Sequence, residues 1–241
     1  MGRAHEVRAA SMAKTAAKKS KIYSKFGKEL YILAKAGIPD PEMNQGLKRK
    51  VAEAKANQVP ADVIKRAIEK AKGSETDSYS FIRYEGFGPG KSTIIIDCLT
   101  DNTNRSYSEV KTCFNKSKAK IGVSGSVSFL YDNVGLLEFD YEGSEDDMLE
   151  LLLMADIDVK DVKVEEGFAV VTVEPTDLHN THECIIEELG EIEFVTYQIS
   201  MLPIETIELD TDIEKTLFER LLTNLNDVDD VDEVFHNVEG F

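Results

Sequence analysis

The sequence predicts an α+β protein, an N-terminal helical bundle followed by two ferredoxin-like α+β modules, the second inserted in the first. Three observations carry that reading. Apolar residues recur at helical spacing as far as Ala71, and from Phe81 the period switches towards that of strands. Between Leu137 and Leu202 the elements run β-α-β-β-α-β, the ferredoxin-like order, in about 70 residues. The pieces on either side, β-β-α-β before and α-β after, complete a similar unit. The expected boundaries are 1–78 for the helical domain, 79–133 plus 204–241 for the first α+β domain, and 134–203 for the insert.

In the head, Ile22, Phe26, Leu30 and Leu33 form one helical stripe that Gly37 and Pro39 end. Asp40-Pro41 reads as the next helix start, with Met43, Leu47, Val51 and Ala54 as its stripe. A third helix begins near Pro60, carries Val63, Ile64, Ala67, Ile68 and Ala71, and stops at Gly73. Residues 73–78 read as a polar linker. Phe81–Gly86 and Ser92–Thr100 then read as strands around a glycine-rich turn, and Tyr107, Val110 and Phe114 as a helix. Val127, Phe129 and Tyr131 alternate as a further strand. In the insert, Ser144 and Asp147 cap a helix running to Ala155, Ile157–Val164 and Phe168–Glu174 pair around Glu166-Gly167, Leu178 to Leu189 is helical, and Ile192–Leu202 closes the unit. A helix carrying Ile213, Leu217 and Leu221 and a strand at Val231–Val238 end the chain.

Composition narrows the functional classes. The 241 residues are 42% hydrophobic and 30% charged, enough apolar mass for real cores. No apolar run is long enough for a membrane span, and the first thirty residues lack a secretory apolar stretch, so a cytoplasmic protein is expected. Three scattered cysteines without a CxxC pair point to reduced thiols and exclude disulfide scaffolds and zinc ribbons.

The net charge of −17 conceals a polarised chain. Residues 1–72 hold 17 Lys/Arg against 7 Asp/Glu, residues 73–135 hold 7 against 7, and residues 136–241 hold 4 against 31. A basic head on an acidic body calls for an anionic partner at the head. Lys14, Lys18, Lys21, Lys25 and Lys28 are spaced four, three, four and three apart, which places them on one helix face. Lys19, Arg3 and Arg8 add to it. Such a ridge suits a phosphate backbone, where each contact releases counterions. A solvated helix face and a mitochondrial presequence are the competing readings.

Other motifs argue for less. Gly86, Gly88 and Gly90 make GxGxG between two strands with no helix behind them, so a tight hairpin is favoured over a dinucleotide loop. Lys91 beside it could reach an anion. Asp101-Asn102-Thr103-Asn104-Arg105 is a strand-to-helix loop in which Thr103 or Asn104 could cap. Arg105 sits where the helix dipole disfavours a cation, so it needs either a carboxylate or an external phosphate. Lys91, Arg105 and Lys118 form a candidate secondary anionic contact. The first two lie at opposite ends of one strand, roughly 30 Å apart, too far to share a phosphate. His179, His182 and Cys184 lack a second ligand pair, and a buried histidine outweighs a metal site. Asp227–Glu233 lacks calcium-loop spacing and reads as a solvated loop. No catalytic constellation emerges, so neither enzyme activity nor a cofactor is expected.

Four blocks carry a resemblance: Lys21-Ile22-Tyr23-Ser24-Lys25-Phe26, Tyr84-Glu85-Gly86-Phe87-Gly88-Pro89-Gly90, Asp101-Asn102-Thr103-Asn104-Arg105 and Gly125-Ser126-Val127-Ser128-Phe129-Leu130. Over essentially its whole length the chain resembles the YebC family, and its two ends look closest to the YeeN branch. The resemblance implies a three-domain cytosolic protein without catalytic activity. It implies a probable DNA-binding transcriptional regulator, or a ribosome-associated translation factor like the mitochondrial translational activators of the family. A protein partner for the acidic half is a third expectation. The chain departs from the family pattern in having no tryptophan, and in carrying Lys118-Ala119-Lys120-Ile121-Gly122 where members commonly have Gly-Gly.

Overall fold

The computed structural model describes residues 16–72, 79–190 and 192–241, with side chains from residue 22 onward. Three helices come first: α1 (Ala16–Ala36), α2 (Gln45–Ala56) and α3 (Ala61–Ala71). From the expected stripes Phe26, Leu30, Leu47, Ala54, Ile64, Ala67 and Ala71 are buried, Tyr31 joins them, and Met43 is exposed in the turn before α2. Asp40-Pro41 opens a turn rather than a helix. The Asp40 carboxylate accepts from Glu42 N, and its carbonyl from Met43 N. The actual cap of α2 is Asn44, whose Oδ1 accepts from Leu47 N at 3.1 Å while its Nδ2 donates to the carbonyls of Leu33 and Ile38. Asn44 thus ties off two helix ends, which a better-looking Asp-Pro obscured.

The first sheet has the order β3-β1-β2-β8. It is built from β1 (Ser80–Phe87), β2 (Thr93–Thr100), the two-residue β3 (Lys120–Ile121) and the carboxy-terminal β8 (Val231–His236). Helices α4 (Thr103–Lys116) and α7 (Asp212–Asn226) cover one face, burying Ile94, Ile96, Cys98, Val110, Phe114, Phe218 and Leu221. The opposite face carries a smaller cluster of Ile95, Val127, Tyr131 and Met201, with Phe235 packed against it. The segment expected as a strand at Val127–Tyr131 is instead a single 3-10 turn at Ser128–Leu130. Val127 is buried, Phe129 is exposed, and Tyr131 begins β4. Alternating apolar residues here reflect a loop laid over the sheet with Val127 turned in.

The second sheet, β5-β6-β4-β7, has the ferredoxin order. Its parts are β4 (Tyr131–Asp140), α5 (Glu145–Met154), β5 (Val159–Glu165), β6 (Phe168–Val173), α6 (Leu178–Leu189) and β7 (Phe194–Pro203), all between β3 and α7 in sequence. The expected capping box is present, with Asp147 N donating to Ser144 Oγ and the Asp147 carboxylate accepting from Ser144 N. The chain divides into two compact units, Met1–Ser74 with Asn133–Ser200, and Glu75–Asp132 with Met201–Phe241. Within the former, Asn57 at the end of α2 donates to the carbonyl of Tyr197 on β7 at 2.9 Å. Ala56 packs on the core of the second sheet, so the helical head is joined to the insert.

Candidate nucleic-acid interface

The expected ridge begins outside the described residues, where Arg3, Arg8 and Lys14 lie. Lys18, Lys19 and Lys21 fall in the first turns of α1, and Lys25 and Lys28 follow on the same helix, both half-buried. The one-face spacing of 18, 21, 25 and 28 is thereby placed on continuous α-helix. Phe26, Leu30 and Ala34 bury the neighbouring stripe, which fixes the rotation of α1.

A charged cluster beside Lys25 was not read from the sequence. Lys50 Nζ lies 2.7 Å from Glu53 and 3.2 Å from Glu29. Burial works against the Lys50 charge, but the two carboxylates outweigh it and hold its pKa above the ordinary value, with Lys25 opposing. Burial also raises the Glu53 carboxyl, against the pull of Lys50. The i, i+3 spacing of Lys50 and Glu53 was visible; the approach of Glu29 from another helix was not.

On the first sheet the candidate cations have different fates. Lys91 and Lys118 are exposed, each at a left-handed residue, with φ of 66° and 53°. Lys91 ends the turn after β1, where Gly90 also needs positive φ. Arg105 has found a carboxylate. Its Nη2 donates to both oxygens of Asp230 at 2.8 Å, and also to Asp101 at 2.8 Å. Thr100 Oγ1 donates to the same Asp230, which is 4% exposed. The acidic stretch read as a solvated loop therefore holds a buried anchor. The cap of α4 is Asn102, accepting from Arg105 N at 3.1 Å, and not the expected Thr103 or Asn104.

The Tyr84–Gly90 block is explained by packing. Glu85, 4% exposed, accepts from Gly125 N at 2.8 Å, Val127 N at 2.7 Å and Ser128 N at 2.9 Å. Burial alone would raise its pKa, yet these three backbone donors hold it below the ordinary value. At Gly86 a Cβ would collide with the Phe114 ring and the Lys120 carbonyl, so α4 and β3 can close on the strand only over glycine. The glycines thus serve close approach and a turn; Gly88, though, has an ordinary negative φ.

The histidine cluster is aromatic packing. His182 stacks on Tyr197 with ring centroids 4.4 Å apart and lies 4.8 Å from Phe194, and burial lowers its pKa. Among the described residues no group of three or more His, Cys, Asp or Glu is placed to hold a metal ion. Cys98 and Cys113 are buried, and burial pushes the Cys98 thiol up to about 11. No described helix is long and apolar enough to cross a membrane.

A lysine-rich helical head followed along the chain by two α+β sheets defines the class of protein. Residues 3–74 match the model described as TACO1/YebC protein N-terminal domain, and residues 79–238 that for the TACO1/YebC second and third domain. The chain belongs to the TACO1/YebC family. It is 50% identical over 238 residues, 99% of this chain and 98% of the relative, to a "Probable transcriptional regulatory protein" of Acholeplasma laidlawii. A protein of that description from Pseudoalteromonas translucida is 48% identical over 240 residues, covering 99% of this chain and all of the relative. The crystal structure of a conserved hypothetical protein from Aquifex aeolicus superposes with a TM-score of 0.77 at 32% identity, covering 94% of this chain and 93% of that one.

Proposed function

We propose that this protein is a non-enzymatic, DNA-binding regulator of transcription in the cytoplasm. It grips the phosphate backbone with Arg3, Arg8, Lys14, Lys18, Lys19, Lys21, Lys25 and Lys28. The observation that carries the reading is the charge division, 17 Lys/Arg against 7 Asp/Glu in residues 1–72 and 4 against 31 in residues 136–241. Residues 136–241 repel a polyanion, so productive contact falls outside them and chiefly on the head. Each lysine–phosphate contact releases condensed counterions, and this supplies affinity without reading bases. Lys91 and Lys118 add exposed positive charge on the first sheet, while Arg105 is held by Asp230. The printed names of the relatives, probable transcriptional regulatory proteins, agree with a regulator.

The test is co-purification of the full-length protein with and without nuclease. DNA fragments recovered with it, and lost on DNase treatment, support the reading. Recovery of ribosomal particles resistant to DNase would replace it by a translation factor, and recovery of neither would remove nucleic acid from the account.

A further inference from the structure

Three places on the described surface lie outside this account. One is an apolar cleft of about 290 Å³ between α2 and α3, lined by Val51, Ile64 and Ile68. Another is the exposed Leu153 and Met154 at the end of α5. The third is the edge of the first sheet at β1 and β3, and only there does the surrounding chemistry specify an occupant.

Gly86 faces Phe114 of α4, so the flanking Glu85 and Phe87 point to the helix-free face of the sheet. Phe87 is 41% exposed there, and its register partner across the β1–β3 pair is the exposed Lys120. Directly opposed residues of an antiparallel pair share a face, so Phe87 and Lys120 lie on the same side of the sheet. Two residues back, Glu85 clamps the loop that follows β3. The next residue beyond the clamped Ser128 is Phe129, 69% exposed. Val110–Tyr131 contains Lys111, Lys116, Lys118 and Lys120 and no Asp or Glu, in a chain with 45 acidic residues. The exposed Phe129 ring thus sits on a loop whose backbone the buried Glu85 carboxylate holds, within a stretch that carries lysines and no acid.

We infer that Phe87 and Phe129, with Lys118 and Lys120, form a second binding surface that takes single-stranded nucleic acid. The rings stack on exposed bases and the lysines meet the backbone phosphates. The inference rests on the reading of the protein as a nucleic-acid binder and adds a surface separate from the head. Stacking requires unpaired bases, since a duplex hides their faces, so this surface prefers single strands. Stacking also tolerates any base, so little sequence preference is expected. The Glu85 clamp contributes by pre-ordering the loop, so little mobility is lost on binding.

The experiment measures fluorescence anisotropy of full-length protein with a labelled oligo(dT) and, separately, a labelled mixed-sequence duplex, in the same salt. The Phe87→Ala, Phe129→Ala double variant is compared with the parent and with Lys118→Ala, Lys120→Ala. Base–aromatic stacking of the usual strength predicts a loss of about tenfold or more on oligo(dT) for the phenylalanine variant, with duplex affinity within about twofold. The lysine variant weakens oligo(dT) binding and flattens its salt dependence, and it serves if the phenylalanine variant melts early. Unchanged oligo(dT) affinity in both folded variants overturns the second surface while leaving the head intact. A parent protein that binds neither probe overturns this surface and the proposed function together, whereas loss of duplex binding on replacing Lys18 and Lys25 tests the head alone.

Discussion

The Glu85 carboxylate and the backbone N–H of Val127 lie 2.7 Å apart, joining β1 to a loop 42 residues further along the chain. With the bonds from Gly125 and Ser128, this acid satisfies three backbone donors that the loop's path over the sheet would otherwise leave unpaired. Glu85→Gln keeps one acceptor and turns an amide donor towards N–H groups, so it is expected to cost roughly 2–3 kcal/mol in denaturant unfolding.

The same contact sets an acid sensitivity. The folded pKa of Glu85 is depressed, so its stabilisation is complete above the ordinary carboxyl range and is lost as pH falls through the folded value. Glu85→Gln removes that contribution, and the stability gap between parent and variant should narrow below about pH 4.5. A gap that stays constant down to the acid limit would place the carboxylate's role elsewhere.

Arg105 and Asp230 make a second long-range tie, 125 residues apart. Arg105→Ala leaves Asp230 buried with Thr100 as its remaining side-chain donor. Melting temperature is expected to fall while duplex affinity holds. Weakened binding at unchanged melting temperature would return Arg105 to the interface.

His236 is buried, with its ring edge-on to Phe218 and Nδ1 accepting from Val238 N, and burial lowers its pKa to about 4. The folded value lies below the unfolded one of about 6.5, so protonation favours the unfolded chain. Between about pH 6.5 and 4 this group alone should remove up to about 3 kcal/mol. His236→Gln should flatten that part of the stability profile, seen as the difference between the two proteins across the window.

The helices and the ferredoxin order of the insert were legible because their buried positions recur at fixed period, as at Phe26 and Leu30 or at Leu137 and Phe139. Asn44 and Asn102 were missed as caps because neighbouring residues offered equally good local chemistry, and only the path of the chain chooses among them. The loop at Val127 looked like a strand because alternation records which side chains turn inward, not what carries the backbone bonds. Glu85 gave no signal, since its partners are main-chain groups that any sequence supplies. Asp230 looked solvated because a run of acids conceals the one that is buried. The helical spacing of Lys18, Lys21, Lys25 and Lys28 was legible, and α1 is the helix that spacing requires.

The central claim is electrostatic grip by the head, and the most direct measurement is the salt dependence of duplex binding by the full-length protein. Engagement of four to six of the head's eight contact cations at a time predicts a slope of log affinity on log salt near −4 to −5, and replacing Lys18 and Lys25 together by Ala should flatten it by nearly two. A slope near zero, or one that this double replacement leaves unchanged, would contradict the account.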